Sequence, residues 1–153
     1  MSLRRPRFSL ASAGLALVMM ASPASGQVPA ISARQYSAGS VILVVTGSIQ
    51  INDTVAINVP ASISDGEMTW LQYGASGSPT PNLLITFSNG EYGIGVGLGK
   101  KVATAEPQHC TGTTQVTATS ITGNYDCKGV TSYDGGTGSM GNVTIKVQFT
   151  AKT

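Results

Sequence analysis

The stretch YGIGVGLGKK, residues 92–101, carries the residue types that most suggest chemistry, because glycine recurs at every second position and two lysines follow. A phosphate-binding loop needs a glycine, four further residues, then Gly-Lys-Ser/Thr and a helix. Here Ile94 stands at the first glycine position, and Lys101 replaces the hydroxyl residue that would hold magnesium. A dinucleotide-binding loop must also join a strand to a helix, and no helix is predicted after Lys101. The stretch therefore does not predict nucleotide binding.

Read as a β-strand, residues 91–99 have side chains on one face only. Ile94, Val96 and Leu98 share that face, and the glycines leave bare backbone on the other. Glycine weakens a strand interior and often marks a close approach. The approaching group is an aromatic side chain from a neighbouring strand, a second backbone, or a flat ligand such as an acyl chain. The candidate ligand-binding residues are therefore Gly93, Gly95, Gly97, Tyr92, Trp70 and Tyr73.

The sequence offers no recognisable set of catalytic residues. Nucleophilic catalysis combines a nucleophile, a base and an orienting group, but the one histidine, His109, lies in a predicted turn and no serine lies in Gly-x-Ser-x-Gly. Most carboxylates fall in predicted turns or at strand ends, where aspartate is expected to bond the backbone. Neither Asp65 with Glu67 nor Asp126 with Asp134 matches a calcium loop. We therefore predict no enzyme, no catalytic residue, no metal site and no cofactor.

Residues 1–26 have the layout of a cleavable secretory signal peptide. Three arginines precede a short apolar run, Leu10 to Met20, and small residues lead to Gly26. The run is shorter than the roughly 20 residues that span a membrane; an uncleaved anchor is the alternative. Cleavage leaves 127 residues, which is enough for one domain with a core.

Cleavage also changes the charge balance. It removes three of the nine basic residues and leaves six against seven acidic ones, so the whole-chain pI of 8.6 reflects the leader. No basic stripe remains to neutralise phosphates, which excludes nucleic acid as an expected partner. We expect a secreted, periplasmic or cell-surface protein with no membrane span after leader removal.

Cys110 and Cys127 are predicted to form one disulfide, the usual state of a cysteine pair in an exported chain. The rival interpretation is metal ligation, but two cysteines and one histidine fall short of a four-ligand zinc site. The two cysteines are 17 positions apart along the chain, and loop entropy assigns a bridge of this span about 3 kcal/mol.

Beyond the leader, apolar residues recur with period two, most clearly in NVTIKVQFTAK, residues 142–152. Asn89-Gly90 is a strong hairpin signal, and a turn is also predicted at Asn52-Asp53. Predicted strands cover 41–51, 54–60, 67–73, 82–88, 91–99, one or two within 114–129, and 142–152. These predict an all-β fold, an antiparallel β-sandwich or flattened barrel of about seven to eight strands. It forms a single domain over residues 40–153, after a flexible N-terminal arm at 27–39.

The order of several short motifs resembles that of a known family. VTGSIQI (45–51) is followed by SPTPNLLITFSNGEYGIGVGLG (78–99), SITGNYDCKGV (120–130) and an alternating last strand. This order is similar to the mycobacterial 19-kDa lipoprotein antigen family over most of residues 41–151. Family members are lipid-anchored through an N-terminal cysteine, which this chain lacks, and their disulfide joins an early strand to the last. The resemblance implies an exported envelope or surface β-protein with no known catalysis, of a kind discussed as antigens and adhesins.

Two functions follow from these observations. The first is an exported cell-envelope or extracellular protein that acts as a surface, structural or interaction protein. The second is a small lipid- or carbohydrate-binding module that uses the glycine-faced strand 91–99 and nearby aromatic residues. A concave pocket would favour the binding module, and flush, closed sheets would favour the structural protein. The expected partner is a surface or envelope component, with lipid or glycan as alternatives.

Overall fold

The computed structural model describes residues 27–153, which form one antiparallel sheet curled into a half-barrel. The predicted leader, residues 1–26, lies outside the described residues. The strands are β1 (Arg34–Gln35), β2 (Ala38–Gly47), β3 (Ile51–Ala56), β4 (Ile63–Ser64), β5 (Met68–Tyr73), β6 (Asn82–Ser88), β7 (Glu91–Leu98), β8 (Lys101–Ala105), β9 (Cys110–Val116), β10 (Ser120–Asp134) and β11 (Ser139–Lys152). Two short 3-10 helices lie at Val59–Ala61 and Pro107–His109.

The strand order around the sheet is β1-β4-β5-β6-β7-β8-β10-β11-β2-β3, and β9 pairs with β10. The long strand β10 is flanked on one side by β11 over nearly its whole length. On its other side, β9 covers Ile121 to Cys127 and β8 covers Ser132 to Asp134. Within residues 27–153, no helix is both long and apolar enough to cross a bilayer.

The prediction of an all-β antiparallel fold is confirmed, but the predicted strand count is too low. The structure has about eleven strands where seven to eight were expected. Two of the additional strands, β1 and β4, have only two residues each. A third is β8, which starts after a turn at Gly99 and Lys100, where residue 99 has φ of +60°. Residue 99 therefore lies outside strand β7, and Lys101 begins a new strand.

The predicted turn at Asn52-Asp53 is wrong. Both residues lie within β3, opposite Val44 and Leu43 of β2. The chain reverses earlier, after Gly47, so that Ile51 can pair with Val45. Because β3 is the last strand of the sheet, the Asn52 and Asp53 side chains remain exposed, and polar side chains on an edge strand discourage pairing with other chains.

The predicted hairpin at Asn89-Gly90 is confirmed. Ser88 pairs with Glu91, and the two turn residues have φ of +53° and +80°. Positive φ at both positions is what a two-residue hairpin turn of this hand requires. The hairpin sets the register of β6 on β7 and thereby places each glycine of β7 opposite a polar or aliphatic residue of β6.

The concave side of the sheet is filled by alternate residues of the strands. At its centre lies an aromatic stack in which the Tyr125 ring is 4.1 Å from the Tyr92 ring and 6.2 Å from the Phe149 ring, centroid to centroid. Phe149 lies directly across Gly123, its register partner. A Cβ added at Gly123 would come within 2.7 Å of the Phe149 ring. Gly123 is therefore covered by an aromatic side chain, as is Gly112, where a Cβ would come within 2.6 Å of the Tyr125 ring.

The disulfide between Cys110 and Cys127 is confirmed. The two residues are register partners at the start of β9, and their Cα atoms are 3.9 Å apart. Cys127 is fully buried in the core. The bridge therefore fixes β9 to β10 at the point where the chain leaves the second 3-10 helix.

The segment before β2 contacts several parts of the sheet. The Val28 amide donates to the carbonyl of Gly90 (3.0 Å), and the Arg34 guanidinium donates to the carbonyl of Thr117 (2.8 Å). Tyr36 is fully buried. Residues 27–39, predicted as a flexible N-terminal arm, include β1 and the start of β2, and they contribute Ile31 and Tyr36 to the core.

Candidate functional site

The predicted ligand-binding residues lie on two different faces of the sheet. Gly93, Gly95 and Gly97 point to the convex, outer face and are called here the outer glycine face. Trp70 shares this face, because it pairs with Thr86, which in turn pairs with Gly93. The two predicted tyrosines, Tyr73 and Tyr92, are buried on the concave face. The structure therefore brings Trp70 and the glycines together on one surface and separates both tyrosines from it.

The two tyrosines are held within the core. The Tyr73 hydroxyl donates to the carbonyl of Thr150 (3.0 Å), which ties β5 to β11 across the half-barrel. Tyr92 stacks on Tyr125. Burial raises the pKa of both Tyr73 and Tyr92, and it raises the pKa of Tyr125 to about 12. All three hydroxyls therefore remain protonated at neutral pH.

The outer glycine face is only partly covered by neighbouring side chains. The Asn82 amide lies over Gly97, where a Cβ would come within 2.8 Å of it, and the Thr86 hydroxyl lies 3.0 Å from a Cβ position at Gly93. At Gly95 a Cβ would meet nothing within 4 Å. Its register partners are Leu84 on β6 and Thr104 on β8. The result is a notch of bare backbone at Gly95, open to solvent and bordered by these two side chains.

A row of exposed apolar side chains starts beside this notch. Gly97 pairs with Val102, Val102 with Tyr133, and Tyr133 with Met140, so the row crosses four strands, β7, β8, β10 and β11. The three side chains are 48%, 45% and 68% exposed, in that order. With Leu84 on the other side of β7, which is also exposed, they form what is called here the apolar row. Exposed apolar surface that is contiguous in this way marks an interaction site more often than scattered residues do.

One ion pair is adjacent to the apolar row in sequence but lies on the other face of the sheet. Lys101 pairs with Asp134 at the register position next to Val102 and Tyr133, so both charged side chains point to the opposite face of the sheet from the apolar row. The Lys101 ammonium is 4.0 Å from the carboxylate of Asp134. Exposed pairs of this kind contribute little to stability.

A cavity of about 670 Å³ lies at one end of the β5–β6 pair. Its walls come from the segment Val28–Ile31, the turn between β4 and β5, the first residues of β5, and the β6–β7 hairpin turn. Trp70 is the one predicted site residue in this wall, together with Met68 and Phe87. The sequence alone did not indicate this cavity, because its walls come from segments up to about 60 residues apart.

Groups suited to metal binding or acid–base chemistry are dispersed. Within residues 27–153, no three His, Cys, Asp or Glu side chains lie close enough together to hold a metal ion. His109 is exposed at the end of the second 3-10 helix, as its place beside Pro107 predicted. No family model, no curated protein and no solved structure shows significant similarity to this chain.

Proposed function

We propose that this chain is an exported cell-envelope or extracellular protein that acts through its surface as an interaction protein, without a catalytic site. The partner is a protein whose apolar side chains cover the apolar row and enter the notch at Gly95. The observation that carries the proposal is the contiguity of Val102, Tyr133 and Met140 with the uncovered backbone of Gly95.

The notch favours a contact with a specific partner over nonspecific association of apolar surfaces. Glycine within a strand costs about 0.5–1 kcal/mol relative to alanine, and at Gly95 nothing within the described chain occupies the space left by the missing side chain. A side chain or backbone from a partner would fill the notch and bury Leu84 and Thr104 at its border.

The location rests on three supports. The predicted leader at residues 1–26 directs export. The disulfide between Cys110 and Cys127 is typical of oxidising compartments. The resemblance to the mycobacterial 19-kDa lipoprotein antigen family suggests an envelope protein. Together they support a partner in the envelope or the medium, with a lipid or glycan surface as the alternative to a protein.

Site-specific photo-cross-linking in the producing cells tests this proposal. We expect p-benzoylphenylalanine in place of Thr104, which is exposed and directly beside Gly95, to form a cross-link with one protein. The matched control places the same group at Gln148, an exposed position on β11 opposite Ile42 and Asn124. Gln148 lies on the same convex surface but away from the apolar row.

A Gly95→Trp change in the Thr104-labelled protein is expected to abolish the cross-link, because the indole would occupy the notch. Equal cross-linking from positions 104 and 148 would contradict the proposal, as would an unchanged cross-link after Gly95→Trp. Cross-linking to lipid alone from position 104 would also contradict it, since the proposed partner is a protein.

A further inference from the structure

The cavity at the end of the β5–β6 pair is separate from the apolar row and has a different chemistry. It is lined by Met68 and Trp70 on the outer face of β5, and by Phe87, Val28 and Ile31, which lie in or against the core. Trp70 is half-buried, and Phe87 belongs to the core. A volume of about 670 Å³ falls within the roughly 300–1,000 Å³ typical of small-molecule sites. The cavity therefore has the size and the aromatic wall of a ligand site.

Polar side chains interrupt the apolar wall. Ser88 and Asn89 line the cavity at the hairpin turn. In the hydrogen-bond network of residues 27–153, the Ser88 hydroxyl, the Asn89 amide and the Trp70 indole N–H have no intramolecular partner. They offer donors and an acceptor beside an aromatic surface, which suits a ligand with both apolar faces and hydroxyl groups.

The negative charge at the rim of the cavity limits the chemical classes of ligand that can bind. Asp65 and Glu67 both line the cavity. One oxygen of the Asp65 carboxylate accepts hydrogen bonds from the amides of Glu67 (2.9 Å) and Met68 (2.8 Å). These bonds hold the pKa of Asp65 below its usual range, so the group stays ionised at neutral pH. Two carboxylates at the rim disfavour phosphates, sulfates and fatty acids.

We infer that this cavity binds a neutral saccharide of one or two units. The Trp70 ring would stack on the C–H face of a sugar ring, while Asn89, Ser88 and the rim carboxylates would accept or donate hydrogen bonds to its hydroxyls. An aromatic side chain beside a few convergent polar groups is the general design of such sites. The site does not depend on the apolar row and is independent of the proposed protein partner.

Saturation-transfer NMR on the protein as purified tests the inference, with methyl α-mannoside, cellobiose and diacetylchitobiose as probes. We expect at least one of them to receive saturation from the protein. Trp70 is the single tryptophan of the chain, so its fluorescence should change saturably in the same titration. Palmitate and calcium chloride are the comparison probes.

Three variants distinguish saccharide binding in this cavity from nonspecific binding elsewhere on the protein. Asn89→Gly should weaken saccharide binding by about three- to tenfold, the equivalent of one hydrogen bond. Glycine tolerates the φ of +53° at that position, so the hairpin should remain. Trp70→Ala should abolish the saturation transfer. Tyr133→Ala is the matched control, because it removes an exposed aromatic ring outside the cavity.

The inference would be overturned by any of three results: no response to the three saccharides, a Trp70 response to palmitate or calcium alone, or unchanged saccharide binding in Asn89→Gly. A saccharide response that survives Trp70→Ala in a folded protein would also overturn it. Loss of binding in Tyr133→Ala would place the saccharide on the apolar row instead.

Discussion

Gly123→Val is expected to lower the free energy of unfolding by about 2–4 kcal/mol, whereas Gly95→Val is expected to leave it unchanged or raise it by up to about 1 kcal/mol. Both glycines lie within strands, and both have register partners on two sides. They differ in what faces them. The comparison therefore tests which face of the sheet is filled.

At Gly123 a Cβ would come within 2.7 Å of two atoms of the Phe149 ring and of the Thr113 carbonyl oxygen. The carbonyl belongs to the β9 backbone and cannot move without breaking the ladder. Phe149 would have to leave the aromatic stack with Tyr125, and loss of a buried aromatic contact is among the larger single-site effects. At Gly95 a valine would meet open space and would add a residue that favours strands.

Urea unfolding of the two variants and of the unmodified protein, followed by Trp70 fluorescence, measures both changes in the free energy of unfolding. Gly129→Val is a less suitable control, because residue 129 has φ of +64° and strains any side chain. If Gly95→Val destabilised the protein as much as Gly123→Val, the outer glycine face would be covered, and the proposed interaction site would have no basis.

Removal of the disulfide is the second change with a large expected effect. Cys110→Ala/Cys127→Ala is expected to lower the free energy of unfolding by about 3 kcal/mol, because the bridge closes a loop of 17 residues in the unfolded chain. The loss of stability should be largest in β9, which pairs with β10 alone within residues 27–153. Hydrogen exchange should therefore rise first at the amides of residues 111–116.

Reduction of the unmodified protein supplies the control. A reducing agent should shift its urea midpoint toward that of the double variant and should leave the double variant unchanged. An unmodified protein whose midpoint did not move on full reduction would contradict the expected contribution of the bridge.

The all-β class could be predicted from the sequence because one face of most strands is buried. In β11 the alternation of Val143 to Ala151 is visible in the sequence, and the same residues fill the core. The hairpin at Asn89-Gly90 depends on two adjacent residues alone. The prediction of a turn at Asn52-Asp53 was wrong because the same residue types also suit an exposed edge strand. The sequence does not show which strand is the edge.

The candidate site was less predictable for a different reason. Period two shows that the glycines of β7 share a face, but it does not show which neighbours cover them. Asn82 and Thr86 cover two of these glycines through cross-strand pairing, and Gly95 is left open. The aromatic ring predicted to cover a glycine exists in this fold, but it is Phe149 over Gly123. The residues on the neighbouring strands decide which glycines are covered, and the pairing of those strands depends on the whole sheet.

Hydroxyl-radical footprinting in the producing cells, compared with the purified protein, tests most directly whether a partner covers the apolar row. We expect oxidation of Met140 and Tyr133 to fall strongly in the cells, whereas oxidation of Ile42, which is 50% exposed on the outer side of β2, should stay the same. Equal oxidation of all three residues in both preparations would contradict this expectation.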